Sequence, residues 1–202
     1  MALIDFDKKE IQCKIVYYGP GRSGKTTNLI YIYNALPAKF KGKFLTIESK
    51  GEHTLLFELL PLSLGKIKDL TVRLQLYTVP GQALYKQARK MVLKGVDGVV
   101  FVADSLRVRR DKNKESLEDL REHLSEWQMD IHEIPLVFQY NKRDLGDLGI
   151  PILSVEELQE DLNFELKAPY FEAIALKGVG VLETLKAISK MSVHYIAQKY
   201  LK

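Results

Sequence analysis

The sequence predicts an α/β fold with a mostly parallel sheet, because three features agree. Strand-like and helix-like patterns alternate along the whole chain. Residues 97–103 (Asp-Gly-Val-Val-Phe-Val-Ala) form a nearly continuous apolar run, as a strand buried on both faces requires. A glycine-rich turn at residues 19–26 joins a strand-like run to a helix-like one.

Each element has its own signal. Residues 11–18 read as the first buried strand, and residues 26–36 as a helix stopped by Pro37. Residues 38–53 are loop-like. Residues 55–60 and 71–77 flank a turn near 66–69 and read as a hairpin, the one antiparallel element. Residues 82–94 read as a helix, 97–103 as a central strand, and 114–127 as an amphipathic helix carrying Trp127. Residues 134–140 are a strand with Pro135 near its start. Ser154-Val155-Glu156-Glu157 is a capping box opening a short helix. A last strand at 170–175 follows Pro169, and residues 181–200 form the final helix. The expectation is six strands and five helices in one domain over residues 1–202. Leu55, Leu56, Phe57, Leu59 and Leu60 read mostly as core.

Bulk properties exclude several classes. A net charge of +4 falls far short of a nucleic-acid binder's basic stripe. The lone Cys13 cannot form a disulfide within the chain and reads as a small core residue in a reducing compartment. The acidic N-terminus carries no secretory signal, and no apolar run approaches the ~18 residues of a membrane span. Ala2 and the ending Tyr200-Leu201-Lys202 match no lipidation motif. A cytoplasmic location is expected.

Two motifs carry chemistry. Gly19-Pro20-Gly21-Arg22-Ser23-Gly24-Lys25-Thr26 fits G-x-x-x-x-G-K-[ST], a phosphate-binding loop, in its required strand–turn–helix context. Glycines let backbone N–H groups curl around a phosphate, and the helix N-terminus adds its positive end. Lys25 can reach β/γ-phosphates, and the Thr26 hydroxyl can hold Mg²⁺. Asn141-Lys142-Arg143-Asp144 then has the form N-K-x-D at the carboxyl end of a strand, where ligands of such sheets sit. The Asp144 carboxylate can accept from both N1–H and the N2 amino group of guanine, a donor pair adenine lacks. Asn141 can bridge to guanine N7 or to the phosphate loop, and the Lys142 stem can lie across the purine.

With these motifs in place the chain resembles small Ras-like GTPases over nearly its whole length, and more closely the bacterial MglA family of gliding motility and cell polarity. The shared stretches are residues 14–21, 23–29, 76–82, 96–105 and 141–145. The resemblance implies a Ras-like sheet, GTP/GDP and Mg²⁺ binding, and an on/off cycle. It also implies a homodimeric roadblock-fold activating protein (MglB), downstream effectors and recruitment to a cell pole. It assigns nucleotide contacts to Gly19, Gly21, Ser23, Gly24, Lys25, Thr26 and Thr27. Thr54 becomes the switch threonine on Mg²⁺ and γ-phosphate, Gly81 the γ-phosphate N–H, and Gln82 the residue that orients the attacking water. Asn141, Lys142 and Asp144 hold the base, with the Ala175 N–H facing guanine O6.

Two departures stand out. Thr78 occupies the place of the usual D-x-x-G aspartate, as in MglA-like chains, and His53 stands where the family has an arginine. Arg22 inside the phosphate loop resembles the arginine of guanylate-binding proteins that acts as a finger in cis. It is either such a catalytic group or a solvent-facing cation. Arg107, Arg109, Arg110, Lys112 and Lys114 read first as a solvated loop, and second as a surface steering an acidic partner or an anionic membrane. A nucleotide-binding scaffold with negligible hydrolysis is the alternative function.

Overall fold

The computed structural model describes residues 3–5, 8–49, 55–67, 69–79 and 86–200. Among them the strands are β1 (Leu3–Asp5), β2 (Glu10–Tyr18), β3 (Leu45–Ser49), β4 (Leu55–Ile67), β5 (Leu70–Thr78), β6 (Gly98–Asp104), β7 (Leu136–Asn141) and β8 (Tyr170–Ala173). The α-helices are α1 (Lys25–Ala35), α2 (Lys86–Leu93), α3 (Arg110–Glu126), α4 (Val155–Leu158) and α5 (Val181–Tyr200). One sheet runs in the order β3-β4-β5-β2-β6-β7-β8, with β1 on β2.

β5, β2, β6, β7 and β8 are mutually parallel, and β4 opposes both of its neighbours. This is the expected mostly parallel sheet of a Ras-like fold, with two more strands than the sequence pattern revealed. β1 is only three residues long and pairs antiparallel to Glu10–Gln12, too short to show a period. β3 lies within the expected loop 38–53. Its strand character comes from its partner, through pairs such as Leu45↔Leu59 and Thr46↔Glu58. The hairpin arms also extend further than expected, because a bulge between Ser63 and Gly65 lets β4 continue to Ile67.

The alternation of β2 places a core on each face of the sheet. Ile11, Cys13, Ile15 and Tyr17 are buried with Leu29 and Ile32 of α1 and Val181, Leu185 and Ile188 of α5. Val16 and Tyr18 are buried on the other face with Leu93 of α2 and Leu117, Leu120 and Leu124 of α3. Each such large side chain contributes ~1.5–3 kcal/mol relative to exposure. Cys13 is thus the core residue expected, its thiol pKa pushed up by burial and by the Asp97 carboxylate. Leu60 is fully buried, while Phe57 and Leu59 are half-buried.

The parallel strands all end on one side of the molecule. There Tyr18 leads into residues 19–24, and Asp104, Asn141 and Ala173 close β6, β7 and β8.

Candidate functional site

Residues 19–24 carry the chain from β2 to α1, and two glycines make the turn possible. Gly19 has φ 134°, and a Cβ there would collide with the Val102 carbonyl of β6. Gly24 has φ 106°, and its Cβ would run into the Asn141 amide. Arg22 also lies in the left-handed region, at φ 66°, without a glycine's exemption. A non-glycine residue held there costs about 1–2 kcal/mol. α1 opens with no side-chain cap and no acid in its first turn. Its leading N–H groups and positive dipole end are therefore left to the cleft, an arrangement suited to an anion.

That cleft, of about 280 Å³, is lined by Arg22, Gly24, Lys25, Thr26, Thr27, Thr46, Phe57, Glu58, Thr78 and Val79. The Lys25 ammonium is buried and donates to the carbonyls of Gly19 (2.9 Å) and Pro20 (2.7 Å). Burial, aided by the nearby positive charges of Arg89 and Arg109 and opposed by Glu58, pushes its pKa down to about 7. A phosphate in the cleft would restore the charge.

This has a measurable sign. Without nucleotide, the unfolded chain binds the Lys25 proton more tightly than the folded one, so this group's contribution to stability rises from pH 7 towards the ordinary lysine range. Nucleotide binding is then expected to take up more protons per site at pH 8 than at pH 6. Titration calorimetry in buffers of different ionisation enthalpy reads the uptake. Equal heats in all buffers at pH 8 would show that Lys25 keeps its charge in the empty cleft.

Thr78, in place of an aspartate, does not leave the cleft without a carboxylate. Its hydroxyl donates to Glu58 Oε2 (2.9 Å), and the Glu58 N–H donates back to Thr78 Oγ1 (3.3 Å). β4, the antiparallel neighbour of β5, thus supplies the acid that β5 lacks. Sequence reading missed Glu58 because the pairing joins residues twenty positions apart through a register that no local pattern fixes.

At the other end of the cleft, Asn141 connects two loops. Its Nδ2 donates to the Ser23 carbonyl (2.8 Å) and its Oδ1 accepts from the Ala175 N–H (2.9 Å). Of the two roles expected for Asn141, this structure shows the bridge to the phosphate loop. The Ala175 N–H, expected to face a base, is here donated to Asn141. Lys142, at φ 69°, points its ammonium to the buried Asp104 carboxylate (2.7 Å), and Asp144 lies in the tight turn Arg143–Leu145 that follows.

Arg107, Lys112 and Lys114 of the basic cluster are exposed, but every cation of the cluster has a partner. α3 begins at Arg110 rather than near 114, so the cluster sits at the start of the helix. Arg107 forks onto Glu157 (2.8 and 2.9 Å), while Arg110 and Lys114 share Asp161 (2.6 and 2.8 Å). These acids lie about fifty residues downstream, which is why the sequence hid them. Arg109 donates instead to the Gly21 carbonyl of the phosphate loop (2.7 Å). Thr54, Gly81, Gln82 and His53 lie outside the described residues.

The family model of the ADP-ribosylation factors matches residues 2–192. The chain belongs to this family. It is 52% identical over 191 residues to the mutual gliding-motility protein MglA of Myxococcus xanthus, covering 95% of each chain. It is 28% identical over 180 residues to the human ADP-ribosylation factor-like protein 4A, covering 88% of this chain and 82% of that one. The mouse protein of the same name matches equally. This family member is an MglA-like small GTPase, a GTP hydrolase. Among its described residues no helix is long and apolar enough to cross a membrane.

Proposed function

We propose that this GTPase is a molecular switch that binds GTP and GDP with Mg²⁺ in the cleft above and hydrolyses GTP slowly. In this reading a roadblock-fold homodimer of the MglB kind stimulates turnover, and the GTP form recruits effectors controlling cell polarity or motility. The biological role rests on the likeness to a protein named for gliding motility. The observation that best supports the chemistry is the Asn141 side chain, which draws the phosphate loop and the N-K-x-D turn into one site.

The donors suit their ligands. Gly21, Ser23, Gly24, Thr26 and Thr27 present backbone to phosphates, and Lys25 adds charge. Oxygen donors fit Mg²⁺: the hydroxyl of Thr26 and, from outside the described residues, that of Thr54 would hold it. The Glu58 carboxylate lines the same cleft and would be an acceptor for water held by such an ion. The metal would supply charge neutralisation at the β/γ-phosphates. Gln82 orients the attacking water, and Arg22 offers a guanidinium to the charge that develops on the γ-phosphoryl group.

Single-turnover hydrolysis tests the reading. Gln82→Leu is expected to keep GTP affinity and to cut turnover at least tenfold, as loss of a positioning group does. The roadblock homodimer should accelerate the unmutated protein and leave the variant slow. Unaltered turnover in Gln82→Leu would remove Gln82 from the mechanism, and His53 would be the next residue to substitute.

A further inference from the structure

We infer that Arg109 is a positioning residue for nucleotide retention, pinning the phosphate loop from α3's side of the cleft. The inference rests on the GTP-binding reading above and adds to it a residue that neither motif contains.

The geometry is specific. The half-exposed Arg109 guanidinium donates through Nη2 to the Gly21 carbonyl (2.7 Å), and its Nε lies 3.8 Å from Asp104 Oδ2. Asp104 is almost wholly buried and is itself fixed. Its Oδ1 accepts from the Leu106 N–H (3.1 Å), and its own N–H donates to Asn113 Oδ1 (3.0 Å). Asn113 Nδ2 closes the ring on the Asp104 carbonyl (2.9 Å). The anchor is thus tied to both β6 and α3. The same carboxylate oxygen holds Lys142 of the N-K-x-D turn. One buried anion therefore serves two cations, one reaching the phosphate loop and one belonging to the base loop.

The position of the pin matters. Gly21 and Ser23 flank Arg22, the loop's left-handed residue. Arg109 takes the carbonyl before it and Asn141 the carbonyl after it. In such a loop the N–H groups converge on an anion only if the carbonyls point outward. Two donors from outside the loop hold both carbonyls that way, across a strained peptide that would otherwise relax. A donor that is charged makes the stronger bond of the two. Removing Arg109 should let the Gly21 peptide turn and loosen the N–H cradle, which is felt when bound phosphate leaves.

The test is the release of a fluorescent GDP from the full chain, chased with excess unlabelled GDP. Arg109→Ala is expected to raise the dissociation rate at least tenfold and to leave the association rate within about twofold, since binding is steered by the whole cleft. Arg109→Gln, which keeps a neutral donor, should fall between. The effect should be the same factor for GDP and for inosine diphosphate, which lacks the N2 amino group, because Arg109 acts on phosphates and not on the base. If either variant releases GDP at the unmutated rate, the inference is overturned. It is also overturned if the faster release comes with an equal loss of thermal stability in the nucleotide-free chain, which would mark general loosening. Should the alanine variant fail to fold, the glutamine variant decides alone. Failure of the guanine reading would look different: the unmutated chain would release ADP as slowly as GDP, and the Arg109 effect would still be read on both.

Discussion

Arg22→Ala is expected to lower roadblock-stimulated GTP hydrolysis about 10³-fold while leaving GTP affinity nearly unchanged, the signature of a group that acts on transition-state charge. Three observations lead there. Arg22 lines the phosphate cleft. Its side chain is exposed and its backbone is held at φ 66°, where glycine would sit without strain, so nothing in the loop's conformation calls for an arginine. His53 stands where the resemblance to the MglA family implies an arginine. Single-turnover assays of Arg22→Ala and His53→Ala, with and without the partner, separate the candidates. The His53 change should cost much less. An Arg22→Ala protein that turns over at the unmutated rate would sink the proposal and assign any catalytic arginine to the partner.

Asp144→Ala is expected to weaken GDP roughly 10²-fold or more. A hydrogen bond to a charged group contributes ~1.5–3 kcal/mol, Asp144 would accept two from guanine, and each 1.4 kcal/mol is a factor of about ten. The loss should be confined to guanine. Adenine nucleotides, which make neither contact, should bind the variant and the unmutated protein alike. Titration calorimetry with GDP and ADP on both proteins reads this directly. Equal GDP and ADP affinity in the unmutated protein would refute the assignment of the base loop.

Much of the fold and the outline of the site could be read from the sequence, for identifiable reasons. Buried parallel strands such as β6 carry apolar runs, and the capping box at Ser154 is complete in the structure, with Glu157 N–H to Ser154 Oγ at 3.1 Å. The phosphate loop and N-K-x-D turn are contiguous motifs whose chemistry needs fixed spacing. What stayed hidden depends on contacts between distant residues. β3 becomes a strand because β4 lies beside it. Glu58 acquires its place in the cleft through Thr78, and Arg109 through a loop 88 residues away. The basic cluster looked solvated because the acids that pair with Arg107, Arg110 and Lys114 are on another element, while only Lys112 pairs within α3, with Glu115.

The division of labour between Asn141 and Asp144 bears on how such a site can change over time. Asn141 fastens two loops to each other through its own side chain, so altering it disturbs the architecture itself. Asp144 stands in a separate turn and fastens neither loop in this way. On the proposed reading of Asp144, taste and grip would be held by different side chains. A lineage could retune its preferred purine by altering the carboxylate alone, through intermediates that still fold and still hold phosphate. No comparable path leads through the asparagine.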